Sequence, residues 1–286
     1  MDLLQKNSKF INVRGELMSL SHPQVMGIMN ITPDSFYKKS RIHSAHEVLH
    51  RADQIIEEGG TIVDIGAYSS RPNAEHITAQ EEMDRLREAL EVLSKERSHL
   101  ILSVDTFRAD VARMCVEEYG VAIINDISAG SLDPNMFKTI AKLNVPYILM
   151  HMKGTPQNMQ QNPTYENFLR EVFIYFSQHI RTLKDLGVSD IILDPGFGFA
   201  KSLAHNYELL AHTSDFKLFD LPILIGVSRK SMIYKLLNST PEESLNGTIV
   251  LNTMALLQGA NILRVHDVKA AAEAIKIVEM TTQYQE

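Results

Sequence analysis

Eight short apolar runs in this sequence end in groups that can bind or ionise. In chain order the endings are Asn30 before TPDSF, Asp64 ahead of SSRP, Asp105-Thr106, Asn125-Asp126, His151, Asp194 ahead of PGFGFAK, Ser228-Arg229-Lys230, and Arg264-Val265-His266-Asp267. Arg71, Lys230, Arg264 and His266, with the hydroxyls of Ser69 and Ser70, make an oxyanion or phosphate locus, because their donors and charge match phosphate oxygens. Asp105, Asn125 and Asp194 make a second, acceptor-rich locus. A carboxylate accepts two parallel N–H donors, so this group suits a flat heterocycle with an N–H/NH₂ edge. Phe197 and Phe199 stand ready for ring contacts, and Met150, at the end of its run, for another. Together the loci describe a flat heterocycle carrying a phosphate-type leaving group. Taken singly, Ser202, Ser228 or Thr106 reads better as an ordinary helix N-cap. A complete ring that also holds two arginines and a lysine does not.

Such a ring needs a scaffold that brings eight chain segments to one face. The strand candidates are 25–31, 61–67, 100–106, 122–127, 146–152, 190–194, 222–227 and 262–265. They are near-continuous apolar runs (VMGIM, IILD, ILIGV), the pattern of parallel strands buried on both faces. Helical periodicity fills the gaps at 45–58, 80–96, 109–119, 165–186, 244–258 and 268–281. Gly59-Gly60, Gly120, Pro146, Gly187 and Pro222 each punctuate a joint before a strand. Eight such units predict a (β/α)₈ TIM barrel over residues 25–286, with active-site groups at the C-terminal strand ends. Residues 1–24, with FINVRGELMSL, are expected to add a short β extension at the closed end. A doubly wound sheet shares the alternation and is the structural rival.

Composition narrows the ligand and the setting. The 286 residues are 44% hydrophobic and 22% charged, with a net charge of -7 and no basic run. That disfavours nucleic acid as a partner, while a few cations in one pocket can still bind a small anion. The sole cysteine, Cys115, forms no intramolecular disulfide and reads as a small buried hydrophobe. No secretory leader and no long apolar span are visible, so a cytoplasmic protein is expected. His46-Glu47-Val48-Leu49-His50 matches the zinc-protease pattern H-E-x-x-H. The apolar stripe of that helix, Ala45, Val48, Leu49, Ala52, Ile55 and Ile56, turns both histidines toward solvent.

The motifs MGIMNITPDSF, DIGAYSSRP, SVDT, IINDIS, LMHMKGTP, ILDPGFGFAK, IGVSRKS and ILRVHDV stand in the order found in dihydropteroate synthases. The chain resembles that family over about residues 25–270. The resemblance implies a barrel enzyme that joins 6-hydroxymethyl-7,8-dihydropterin pyrophosphate to p-aminobenzoate, releasing pyrophosphate on the folate pathway. It implies Mg²⁺ on Asn30 and phosphate contacts from Asn30, Ser70, Arg71, Arg264 and His266. It implies a pterin grip by Asp105, Asn125, Met150, Asp194 and Lys230. Pro72, Phe199 and Ser228 would edge the p-aminobenzoate pocket, where sulfonamides compete. Asp105, Asn125, Asp194, Lys230, Arg264 and His266 are thus the candidate catalytic residues, and a homodimer is implied. An SN1-like departure of pyrophosphate suits this inventory, since no strong general base is needed. Tyr68 stands where the family commonly has Glu, and Ala200 where it often has Gly. A methyltetrahydrofolate methyltransferase-type domain and a non-catalytic pterin binder are the alternatives.

Overall fold

Parallel strands buried on both faces require a long crossover to return the chain to the same end of the sheet. The computed structural model, which describes residues 9–31, 41–68, 77–155 and 163–284, has such a crossover after strand upon strand. The barrel strands are β3 (Gln24–Asn30), β4 (Ile62–Gly66), β5 (Ile101–Asp105), β6 (Ile123–Asp126), β7 (Tyr147–Met150), β8 (Ile191–Asp194), β9 (Leu224–Ile225) and β10 (Ile262–Val265). They pair in parallel in the order β8-β7-β6-β5-β4-β3-β10-β9. A single parallel bridge, Leu193 to Ile223, joins the two edges and closes the ring. The architecture is a (β/α)₈ barrel.

The helices are α1 (Arg41–Glu57), α2 (Ala79–Glu96), α3 (Ala109–Tyr119), α4 (Met136–Leu143), α5 (Phe168–Asp185), α6 (Leu203–Ala211), α7 (Ser231–Leu236), α8 (Leu245–Leu257) and α9 (Val268–Thr282). A 3₁₀ turn covers Thr213–Phe219. Local chemistry sets several ends. Thr78 caps α2 in a reciprocal box with Glu81, and Gly120 ends α3 in the left-handed region at φ 64°. None of the described helices is long and apolar enough to cross a membrane.

Strand β9 is shorter than the apolar run that contains it. Pro222 has no N–H for a ladder, and its carbonyl accepts Leu193 N at 2.8 Å. The Ile223 amide donates to the Asn261 side chain at 2.9 Å, so a side-chain amide replaces a strand partner there.

One apolar side chain from each barrel strand fills the lower interior: Met26, Ile62, Ile101, Ile123, Ile148, Ile192, Leu224 and Ile262. The chain preceding them, β1 (Phe10–Val13) and β2 (Glu16–Ser19), forms an antiparallel hairpin. Arg14 and Gly15 turn it, both at positive φ (53° and 89°), the twist-compatible geometry of a two-residue hairpin. Ile11, Val13 and Leu20 pack onto the apolar layer from below, so the hairpin stoppers the barrel at its N-terminal end. Ile11 is 1% exposed, and Ile11→Ala is expected to cost about 3 kcal/mol through lost burial and a residual cavity. Urea unfolding should show that loss, while KM at the opposite end of the barrel stays unchanged.

Candidate active site

Side chains alternate along a strand, so residues two steps above the apolar floor also face inward. They are Ile28, Asp64, Ser103, Asn125, Met150, Asp194, Gly226 and Arg264. Two steps higher, at the rim, the same count reaches Asn30, Gly66, Asp105, Ile127, Met152, Gly196, Ser228 and His266. The apolar interior therefore gives way to a polar layer within one side-chain repeat.

Asp64 organises that layer. Its carboxylate is fully buried; Oδ1 accepts Ser103 Oγ at 2.6 Å, and Oδ2 accepts Arg264 Nε at 2.7 Å and Asn125 Nδ2 at 3.2 Å. Arg264 Nη2 donates onward to Asp105 Oδ2 at 2.8 Å. Strand register produces the grouping, since Asp64 lies opposite Ser103, and Asp105 opposite both Gly66 and Asn125. Gly66 separates Asn30 from Asp105; a Cβ there would stand 3.5 Å from Asn30 Oδ1 and 3.6 Å from Asp105 Cβ. The missing side chain leaves room at the rim between them. Burial pushes Asp105 up to about 7 against the pull of Arg264, and the charges of Asp64, Glu82 and Asp126 add to the rise. Burial also opposes the Arg264 charge, but Asp64 and Asp105 outweigh it and hold the guanidinium above its ordinary value.

The facing wall is built from the segment after β8. Asp194 Oδ1 accepts Gly196 N at 2.7 Å, and burial raises its pKa despite Lys230. Lys230 Nζ donates to Phe197 O at 2.6 Å and lies 4.8 Å from the Phe199 ring centroid. Burial lowers that ammonium to about 8. At the rim Ser228 Oγ accepts His266 N at 3.2 Å and stands 3.1 Å from His266 Nδ1. Arg229 straps the two loops by a two-pronged ion pair with Asp267, both bonds 2.8 Å. Phe107, Ile127, Met150, Met152 and Ala200 form an apolar patch, with Tyr68 and Phe199 packed against it.

The structure thus gathers Asp105, Asn125, Asp194, Lys230, Arg264, Ser228 and His266 at one mouth, with Met150 buried in the adjoining patch and Asn30 at the end of its strand. Ser69, Ser70, Arg71 and Pro72 lie outside the described residues. Two expectations need correction. The Phe197 ring is fully buried in the shell between strands and helices, so only its carbonyl serves the site. Asp126, neighbour of Asn125, points the other way and takes Tyr147 Oη at 2.6 Å, Ser128 N and Oγ, and Gly130 N. It is a structural carboxylate. Ala200 holds a left-handed backbone (φ 48°), which accounts for glycine as the easier residue there. Tyr68 meets Phe107 edge-on at 5.0 Å, with the Arg108 guanidinium 5.4 Å from its ring centre. His46 and His50 sit exposed on α1, and no group of three His, Cys, Asp or Glu able to hold a metal occurs among the described residues. The sequence marks Asp64 only as one of the polar strand ends, without its role as central acceptor, and singles out neither its partner Ser103 nor the buried Lys201. A count of two from each apolar floor residue finds the first two.

A barrel with a charged, preorganised mouth above an apolar floor defines a (β/α)₈ enzyme acting on a small polar molecule. The sequence matches the family described as pterin binding enzyme over residues 26–266. The dihydropteroate synthase of Escherichia coli K12 is 42% identical over 275 residues, 96% of each chain. The Yersinia pestis dihydropteroate synthase, solved with a sulfonamide drug, superposes with a TM-score of 0.89 at 42% identity, covering 96% of this chain and 100% of that one. The Xanthomonas albilineans enzyme with 4-aminobenzoic acid gives 0.87 at 35% identity, covering 98% and 100%. The chain belongs to the pterin binding enzyme family, among its dihydropteroate synthases.

Asp105 accepts N–H donors fully only when ionised. With its pKa near 7, kcat/KM is expected to fall toward acid with an apparent pKa close to that value, about tenfold per pH unit on the limb. Asp105→Asn should abolish the limb. Folding has the opposite sign, because the native carboxyl keeps a proton that the unfolded one releases from about pH 4 upward. Wild type should therefore lose stability relative to Asp105→Asn between about pH 4 and 7, read from urea midpoints across that window.

Proposed function

We propose that this enzyme condenses 6-hydroxymethyl-7,8-dihydropterin pyrophosphate with p-aminobenzoate, giving 7,8-dihydropteroate and pyrophosphate. The observation that carries the reading is the buried chain Asn125–Asp64–Arg264–Asp105 facing Asp194 and Lys230. It offers acceptors for the donor edge of a pterin on one side and cations for its oxygen atoms and the departing anion on the other. The bond from the pterin methylene to the pyrophosphate oxygen breaks, and the electron pair leaves with the anion. The electron-rich ring stabilises the cation so formed, and the arylamine nitrogen adds to it and then loses a proton to water. Arg264 and His266 are assigned to the leaving charge, and Ser70 and Arg71 from the second loop to the same anion. Phe199, Ser228 and Pro72 are assigned to the arylamine pocket, where a sulfonamide competes.

Asn30 offers one amide oxygen beside the open position at Gly66. That suits Mg²⁺, which keeps most of its water and leans on substrate phosphates, and it would supply charge neutralisation to the leaving group. The lone buried thiol of Cys115 suits the reducing cytoplasm. A homodimer is supported by one outer face: Val250, Met254 and Leu257 of α8 are exposed at helical spacing beside exposed Ile277 and Met280 of α9 and the following Tyr284. A helix that is apolar outside as well as inside calls for a partner, and a second copy offers the same surface.

Wild type supplied with both substrates and Mg²⁺ is expected to release pyrophosphate in step with dihydropteroate. Binding of pterin with no release would leave the non-catalytic alternative standing. Arg264→Ala should cut kcat/KM by at least about 100-fold, and an unchanged value would remove Arg264 from the anion site. Met254→Asp is expected to sediment as a monomer at micromolar concentration while keeping native circular dichroism; a persistent dimer would move the interface elsewhere.

A further inference from the structure

The loop from Pro195 to Ala200 carries the backbone partner of Asp194 and the ring of Phe199, yet little of it is held by regular structure. Lys230 takes the Phe197 carbonyl. A second ammonium, which the reaction does not use, holds the same loop from the other side. Lys201 is 4% exposed. Its Nζ lies 2.9 Å from Gly196 O, 3.1 Å from Phe199 O, 2.8 Å from His151 Nδ1 and 3.3 Å from His151 O. An ammonium has three protons and no acceptor, so four acceptors saturate it, the His151 carbonyl sharing a proton at the longest distance. Asn206 completes the clasp by accepting Gly198 N at 2.7 Å. Gly196 has to be glycine here, because at φ 73° its Cβ would lie 2.1 Å from the His151 carbonyl.

The arrangement links the ends of β7 and β8. His151 N donates to Asp194 O at 3.0 Å, and Lys201 then ties His151 to the loop that Asp194 orients. As donor to Nδ1, Lys201 also sets the imidazole tautomer, leaving the proton on Nε2. Burial pushes the Lys201 ammonium below its ordinary range while the Asp194 carboxylate works to keep it charged.

We propose that Lys201, acting through His151 and the carbonyls of Gly196 and Phe199, is a positioning residue for the pterin: it fixes the direction of the Asp194 carboxylate and the plane of the Phe199 ring. Lys201 touches no substrate. The inference rests on the dihydropteroate synthase reading for its substrate, and a pterin site is the part of that reading it needs. A lysine of purely structural value would lower stability without favouring one substrate. A positioning lysine raises the demand for pterin selectively.

The test compares wild type, Lys201→Met and Lys201→Ala in the pyrophosphate-release assay, with direct calorimetric titration of 6-hydroxymethyl-7,8-dihydropterin pyrophosphate. Lys201→Met is expected to weaken pterin binding and raise its KM by about tenfold, with the p-aminobenzoate KM within about twofold. Ethylammonium, which refills the space and the charge, should restore pterin binding to Lys201→Ala, whereas tetramethylammonium should not. In wild type, ¹⁵N spectra of the histidines should show His151 with Nδ1 unprotonated and Nε2 protonated. Equal loss for both substrates, unchanged pterin binding, or a proton on Nδ1 would overturn the proposal. If neither variant folds, the wild-type His151 spectrum decides. Absence of pyrophosphate release from wild type would instead count against the enzymatic reading, because pterin titration and the His151 spectrum do not depend on turnover.

Discussion

The bond between Arg264 and the buried carboxylate of Asp64 is the constraint around which the rest of this barrel is arranged. A charge removed from water is tolerated only with a partner and satisfied hydrogen-bond positions. Here the partner lies directly above a layer of isoleucine, leucine and methionine contributed by all eight strands. That layer lowers the local dielectric response and makes each polar pairing stronger. Among the described residues, Asp64, Asp105 and Asp194 are matched in number by Arg264, Lys230 and Lys201, so these buried charges balance despite their density.

Neutrality of this kind also separates the ligand from the net charge of the chain. An overall charge of -7 says little about a pocket whose cations are few and buried. The direction of the Arg264 N–H bonds is set within the protein, by Asp64 through Nε and by Asp105 through Nη2. Preorganisation of donors in this way avoids the reorganisation that water would undergo around a developing charge.

Much of this was legible in the residues because strand alternation is a strict period of two. The apolar runs mark the strands, their ends mark the mouth, and the motif order leads to the pterin-binding family. What the residues conceal is mostly side-chain direction outside strands. Phe197 and Phe199 are indistinguishable in sequence, but the turn at Gly196 and Gly198, both at positive φ, sends one ring into the shell and leaves the other beneath Lys230. Lys201 looks like a solvent-facing lysine after a glycine-rich turn, and only the fold shows four acceptors around it. Asp64 stands in a strand-end motif without any local sign that three donors converge on it. The histidines of H-E-x-x-H show the reverse case, a vivid spacing whose two rings stand exposed on α1.

The bond from Lys230 to the Phe197 carbonyl has a consequence for how tightly any ligand can be held. Without a ligand this ammonium already has a partner in the protein. That bond commits one of the three ammonium protons and leaves two for other acceptors. The carbonyl therefore acts as a tether: it fixes where Nζ sits without using up its capacity to donate. Whatever acceptor reaches this wall meets a donor whose position is already set, so little of the long lysine stem has still to be ordered.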